Sequence, residues 1–450
     1  MEKEQLFEAV TEYLEKGDYQ AIRAILSEEE PYDLAVLCEE FDEKQLPIVF
    51  RLMAKDLAAE CFSNMSSELQ ELLLKRMSDA ELKAILDEMF VDDTVDVIEE
   101  MPANVAARML ANSDPETRQQ INQILNYPKD SAGSIMTTEY VRLNKNMSVA
   151  DAFVRIRRVG YEKETIYTCY VTESDRTLVG VVTAMDLMLA ETDKLISELM
   201  ETNVISAKTD DDRESVVKKF SDYDFLALPV VDGSNRLVGI VTVDDAIDVA
   251  LEEATEDLEI MAGITPSDKP YLKVGVFSTW LSRVPWLMLL MLSATFTGAI
   301  ISSYEEALKN VVILTAFIPM LMGTAGNAGG QSSVTIIRAL SLGDVVPSDI
   351  LRILWKELRV SILCGVSLAA VGYFKAIWLD GADSTVALVV CLTLLATVVA
   401  SKIVGCVFPV AIKKLGFDPA VVASPFITTV IDALALVVYF AVATALLDKL

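Results

Sequence analysis

Five apolar runs crowd the carboxyl-terminal part of this chain, near 284–304, 307–323, 360–378, 386–410 and 419–447. Each is long enough to cross a bilayer with some adjustment, and hydrocarbon offers no partner for a bare N–H or C=O, so each run is confined to a helix. The second is short and interrupted by Pro319. Arg338, Arg352, Lys356 and Arg359 fall between runs two and three, and Lys413 and Lys414 between four and five. The other connections carry Glu305, Glu306, Asp380 and Asp383. Basic loops stay on the cytoplasmic side. The expected arrangement is a multi-pass protein of the plasma (inner) membrane, with its amino-terminal half in the cytoplasm and its carboxyl terminus outside.

The charge is as uneven as the hydropathy. Residues 271–450 hold 10 of the 67 acids and 12 of the 38 bases, which leaves 57 acids against 26 bases, a net charge of −31, on the first 270 residues. Such a field repels nucleic acid and anionic lipid and concentrates cations. Histidine is absent and the six cysteines show no paired spacing, so the usual zinc and copper ligands are missing. Carboxylate and amide oxygens remain, and they suit magnesium, calcium or manganese. The acidic, polar first thirty residues predict no cleaved signal.

Residues 1–130 read as short amphipathic helices in a small superhelical domain. Ser78 with Glu81 predicts a capping box, and Asp114 before Pro115 predicts a capped first turn. Beyond 130 the period shortens to β-rich runs, and Gly180-Val-Val-Thr183-Ala-Met-Asp186 recurs as Gly239-Ile-Val-Thr242-Val-Asp-Asp245. Met136-Thr and Met200-Glu open the two copies. The doubled pattern resembles a tandem pair of cystathionine-β-synthase (CBS) modules, 131–198 and 199–260. That resemblance makes Thr183, Asp186, Thr242 and Asp245 candidates for holding the ribose of ATP or another adenine nucleotide, although many such modules bind none. A connecting helix is expected over 261–283, followed by a five-helix transmembrane domain over 284–450.

With the spans drawn this way, Asp432 is the one acid within an apolar core, and a carboxylate at membrane depth points first to an ion path. The alternative is an aspartate that hydrogen-bonds neighbouring helices. At helical spacing Thr428 and Thr429 lie one turn before it and Ser424 about two, forming a polar stripe. Pro319, Pro409 and Pro425 free the carbonyls of Thr315, Gly405 and Val421. After Pro319 the run Gly323 to Gln331 is rich in small residues, with Asn327 and Gln331 offering amide oxygens. One carboxylate per chain is thin for a small divalent ion, so two chains about a twofold axis are expected, holding a hydrated ion through its water. A second constellation occupies 244–259, where Asp244, Asp245, Asp248, Glu252, Glu253, Glu256, Asp257 and Glu259 occur without a base. In a helix these repel one another until a divalent ion intervenes. Ile247, Leu251, Ala254, Leu258 and Met261 would share another face. Asp92, Asp93 and Asp96 form a similar group.

The whole order of parts, together with the run Pro319 to Gln331, Asp418-Pro419-Ala420 and Asp432, resembles the bacterial MgtE-type magnesium channel family. The resemblance implies a homodimer with a central path lined by spans two and five, an ion site at Asp432, and cytoplasmic domains that bind Mg2+ and hold the path closed. By position it implies Glu60, Asp92, Asp96, Asp212, Glu214, Asp224, Asp245, Asp248, Glu253, Glu256 and Asp257 as regulatory ligands, with Asp418 near the cytoplasmic end of the path. Pro319, Gly323, Asn327, Gln331, Pro409, Ser424, Pro425 and Thr428 are the expected pore lining. Thr168 and Met185 depart from the aromatic and arginine that nucleotide-binding members can offer. Lys402 is a cation in the fourth span and is expected to snorkel toward the cytoplasm. A coupled divalent exchanger and a membrane-anchored sensor that transports nothing are the competing readings. No nucleophile, base and orienter occur together, so an enzyme is not expected.

Overall fold

The computed structural model describes residues 3–447 apart from 268–270, 273 and 422–423. It divides into two compact units, residues 1–250 and 251–450.

The first unit begins with ten short helices between Lys3 and Ile124. Their starts follow the local chemistry. Ser78 Oγ accepts the Glu81 N–H at 3.3 Å while the Ser78 N–H donates to Glu81 Oε2 at 2.7 Å, and Asp114 caps the helix that begins at Pro115. Leu34, Leu37, Phe62, Leu73 and Leu74 are fully buried among them. The same core continues into Ala132, Met136, Val216, Val230 and Val241, so the helical domain and part of the CBS region are one packed body.

The internal repeat appears as two three-stranded sheets of the same design. Tyr140–Asn144 pairs parallel with Thr165–Thr172, which pairs antiparallel with Leu178–Thr183; Ala207–Lys208, Ala227–Val231 and Leu237–Thr242 repeat the pattern. The copies exchange their opening segments. Thr137 bridges to Ile240 of the second sheet and Glu201 to Val181 of the first, each through two backbone hydrogen bonds of 2.8–3.0 Å. This exchange explains the motif glycines: a Cβ on Gly239 would lie 2.5 Å from Met136 Sδ, and one on Gly180 would lie 2.7 Å from Met200 Sδ.

The acidic run forms a single helix, Val243–Met261. Of its residues Ala246 and Val249 are buried, whereas Ile247, Leu251 and Leu258 of the expected apolar face are exposed. Among the described residues of 261–283 the expected connecting helix is not formed as one element. Gly263 adopts a left-handed φ of +70°, and the Ile264 N–H reaches back to the Glu259 carbonyl at 2.9 Å, a glycine stop that ends the acidic helix. The next long helix starts at Val276.

The second unit holds five long helices among its described residues: Val276–Ser303, Leu314–Ser341, Ile350–Trp378, Ser384–Lys414 and Ser424–Leu446. Four are long and apolar enough to cross a membrane; the second, diluted by glycine, serine and amides, is the exception. Two boundaries correct the sequence reading. The second helix does not stop at Gly323 but runs unbroken through Asn327 and Gln331 to Ser341, and two of its glycines, Gly326 and Gly329, meet other helices. A Cβ on Gly329 would collide with Ile431 and one on Gly405 with the Gly329 carbonyl, which lets the second, fourth and fifth helices approach closely. The third helix begins ten residues before the expected 360, at Ile350, and so takes in Glu357.

Candidate metal centres

The first centre lies where the helical domain meets the CBS region. Asp92 begins the helix Val91–Glu100, Glu139 follows the exchanged segment, and Glu164 precedes the strand Thr165–Thr172. One carboxylate oxygen from each lies within 4.8 Å of the other two. The Val91 N–H donates to Glu139 Oε2 at 3.0 Å, and the Glu164 N–H to the Glu139 carbonyl at 2.9 Å, which fixes two of the three stems. Asp92 Oδ1 and Glu164 Oε2 are buried with no hydrogen-bond partner. Buried oxygens with free lone pairs facing one another are costly without a cation.

Asp245 and Asp93 act on the charges of both Asp92 and Glu164, and Asp244 on Glu164. Burial raises Asp92 well above the ordinary carboxylate range, with Asp245, Glu164, Asp93 and Glu139 adding to it. Burial followed by Asp93, Asp245, Asp244 and Glu139 pushes Glu164 up to about 8. Asp245 is pushed up to about 6, mainly by burial, although Thr242 Oγ1 donates to its Oδ2 at 2.6 Å. Asp93 is raised by burial, with Ser63 opposing and Asp244 and Glu60 adding. Asp248 is also raised, by burial and Asp244. The structure therefore brings Asp92 and Asp245 together, with Glu60 at the margin beside Asp93, whereas Asp248 feels Asp244 on its own helix. Asp96 is exposed one turn along from Asp92.

The cluster does not include Asp212, Glu214 and Asp224. Asp212 caps the helix Arg213–Tyr223 by accepting the Glu214 N–H at 2.8 Å, and Asp224 ends it in a left-handed conformation with φ 54°. Glu253, Glu256 and Asp257 are half-buried on the distal half of the acidic helix. Glu139 and Glu164 are candidate ligands that sequence reasoning missed. Neither belongs to an acidic run, and no helical spacing connects them to Asp92.

The repeat does not give equivalent nucleotide candidates. Thr183 Oγ1 donates to Asp186 Oδ2 at 2.6 Å at the surface, with Asp186 exposed. Thr168 pairs with Thr183 across the sheet, and Met185 projects into solvent. The matching pair in the second copy is different: Thr242 is buried and Asp245 is part of the acidic cluster.

The second centre is in the five-helix unit. Pro319, Gly323, Asn327 and Gln331 recur every four residues on the second helix and are all exposed, forming one stripe. Asp432 is half-buried on the fifth helix beside Gly326: a Cβ there would lie 3.5 Å from Asp432 Oδ1 and 2.9 Å from Thr428 Cγ2. Asp432 and Thr428 thus flank the polar stripe, and Pro425 is half-buried one turn earlier. Ser424 heads the helix, but its side chain lies outside the described residues. Pro409 is buried and does not join the exposed stripe. Asp418 is exposed between the fourth and fifth helices and accepts the Ala420 N–H at 2.9 Å.

Two charged residues correct the sequence reading. Lys402 does not snorkel to the surface: it is 6% exposed and donates to Ser332 Oγ at 3.1 Å. Glu357 lies 3.7 Å away, so Asp432 is not the sole acid inside the helix bundle. Hydropathy placed Glu357 in a loop because charges end an apolar window, whereas here a counter-charge carries the acid inside.

Comparison with known families matches residues 318–442 to a divalent cation transporter domain of the MgtE type, 29–130 to the MgtE intracellular N domain, and 132–193 and 196–252 to CBS domains. The chain is 37% identical to the magnesium transporter MgtE of Thermus thermophilus, over 99% of both proteins. It is 35% identical to that of Bacillus subtilis, over 97% of this chain and 96% of the relative. Among solved structures, the cytosolic domain of the Mg2+ channel MgtE in complex with ATP is 38% identical and superposes with a TM-score of 0.52, covering 54% of this chain and 99% of that one.

Proposed function

Since the chain belongs to the MgtE family of magnesium transporters, we propose that it carries Mg2+ across the plasma membrane as a channel whose path passes Asp432 and which closes when intracellular Mg2+ occupies the acidic amino-terminal half. Its activity is transport, not catalysis, and its amino-terminal domain is cytoplasmic. The observation that carries the channel reading is the exposed stripe of Pro319, Gly323, Asn327 and Gln331 flanked by Asp432 and Thr428. Amides presented to lipid are unfavourable, and a second copy about a twofold axis would turn the two stripes toward each other and pair two Asp432 carboxylates. Magnesium sheds its water reluctantly, so two carboxylates and amide oxygens suit a hydrated ion held through its shell. The carboxyl terminus then lies outside the cell.

Closure follows from the first centre. Asp92, Glu139 and Glu164, backed by Asp93, Asp244 and Asp245, repel one another until a divalent cation bridges them, and Mg2+ would favour the form that brings the carboxylates closest. The carboxylates Asp248, Glu253, Glu256 and Asp257, which continue along the same helix, belong to this response, and Asp212, Glu214 and Asp224 offer outlying positions. The solved relative bound to ATP supports nucleotide binding by the cytosolic part of this chain, and Thr183 and Asp186 of the first CBS copy are the residues we assign to it. Asp245 is unsuited to that role, because its acidic neighbours repel phosphate.

Mg2+ uptake into liposomes containing the purified full-length chain tests the channel. Uptake without any sodium or proton gradient is expected for wild type and its loss for Asp432→Ala. Uptake that needs a counter-ion gradient contradicts the channel in favour of an exchanger, and full uptake by a folded Asp432→Ala protein contradicts the path.

A further inference from the structure

The path at Asp432 leaves one buried charged group unexplained. Lys402 Nζ on the fourth helix donates to Ser332 Oγ on the second at 3.1 Å; Ser332 Oγ donates to Glu357 Oε2 on the third at 2.8 Å; and the ammonium lies 3.7 Å from that same oxygen. The lysine and glutamate side chains are 7% and 13% exposed. Ser332 follows Gln331, the last residue of the exposed stripe, and lies about 9 Å of helix rise beyond Gly326, the residue against Asp432. The carbonyl of Ser401, next to Lys402, faces Gly329 between them.

Stability alone does not account for this pair. Apolar side chains of similar volume would hold three helices at least as well as a buried ion pair, and serines or threonines could supply hydrogen bonds without charge. What a lysine brings is a fixed positive charge roughly two helical turns from the cation site, in surroundings that screen poorly. Unopposed, it would repel a divalent cation from Asp432 with twice the force it exerts on a monovalent one.

We propose that Glu357 is a charge-balancing residue for conduction: by neutralising Lys402 it keeps the potential at Asp432 favourable to a divalent cation. This rests on the path at Asp432 and adds an asymmetry to it. Removing the glutamate leaves a repelling charge, whereas removing the lysine leaves none.

The test is Mg2+ uptake by liposomes containing full-length wild type, Glu357→Gln, Lys402→Met, the double variant and Asp432→Asn, at sub-saturating Mg2+. Glu357→Gln is expected to lower uptake roughly tenfold or more. Lys402→Met should show undiminished uptake, and the double variant should return to within about twofold of wild type, since both charges are gone. If both single variants lose uptake equally and the double does not recover, the pair is a clamp and the proposal is overturned. Where Glu357→Gln fails to fold, Lys402→Met still decides, because a clamp requires a loss there and charge balance does not. Asp432→Asn separates the two layers: wild-type uptake in that variant removes the path itself, whereas a silent Asp432→Asn beside equally impaired single variants removes only the charge balance.

Discussion

Both units bury carboxylates, but they compensate them in opposite ways. In the membrane unit Glu357 has its counter-charge built into the chain, with Lys402 and Ser332 completing a neutral group that asks nothing of the solution. In the amino-terminal unit Asp92, Glu139 and Glu164 converge with Asp93, Asp244 and Asp245 behind them, and two buried oxygens lack any partner. A compensated acid fixes structure, whereas a convergent set of uncompensated acids makes structure depend on whatever cation the solution supplies. Under the function proposed above, the contrast divides the labour between a bundle that keeps its geometry and an amino-terminal body whose packing responds to the ion.

The largest expected effect is on the cytoplasmic body as a whole. With a net charge of −31 over 270 residues, millimolar Mg2+ should compact it and slow proteolysis between residues 100 and 270 several-fold, while sodium at equal ionic strength should not. Equal protection by both salts would reduce the response to screening and erase the difference between the units.

A smaller effect isolates the trio. Glu139→Gln with Glu164→Gln removes two ligands and should raise the Mg2+ concentration for half-protection several-fold. Because these substitutions also relieve repulsion, the ion-free protein should become more protected, not less. An unchanged midpoint would take the trio out of the response.

The smallest effect is on pH dependence. The ion-free values of Asp245 and Glu164 lie at about 6 and about 8, above the ordinary 3.8 and 4.5. Raised carboxylate values mean that the ion-free packing is most stable below the ordinary range and weakens as pH rises through about 6 and then about 8. Mg2+ needs the deprotonated forms, so its affinity should climb over that window and level off above it. Calorimetric titration between pH 5.5 and pH 8.5 checks the direction, and a flat profile would count against carboxylates held partly protonated.

What was legible in the sequence was local or periodic. The caps at Ser78 and Asp114, the doubled Gly-x-x-Thr-x-x-Asp pattern, and Asp432 one turn beyond Thr428 each depend on neighbours a few residues away. What was hidden depends on tertiary partners. Glu139 and Glu164 are isolated acids whose significance arises when the helix at Asp92 packs over them. Met136 and Met200 mark the repeats, yet nothing local says that each packs against the other copy's glycine. The small residues after Gly323 lower the hydropathy and end the apolar run there, although the close helix approach they permit is legible and Gly326, Gly329 and Gly405 do form the contact surface. Lys402 and Glu357 each lower hydropathy, and only together do they belong inside the bundle.

In the proposed mechanism, clustered carboxylates let intracellular Mg2+ close the path at Asp432. Patch-clamp recording of the full-length channel at low and high internal Mg2+ tests it most directly, comparing wild type with a variant in which Asp245, Asp248, Glu253, Glu256 and Asp257 are all neutralised. Linkage requires that the ion's preference for the closed form disappear with its ligands. Wild-type current should fall silent at high internal Mg2+, and variant current should persist there. A variant that closes at high Mg2+ as wild type does, or that is silent at both concentrations with Asp432 intact, would contradict it.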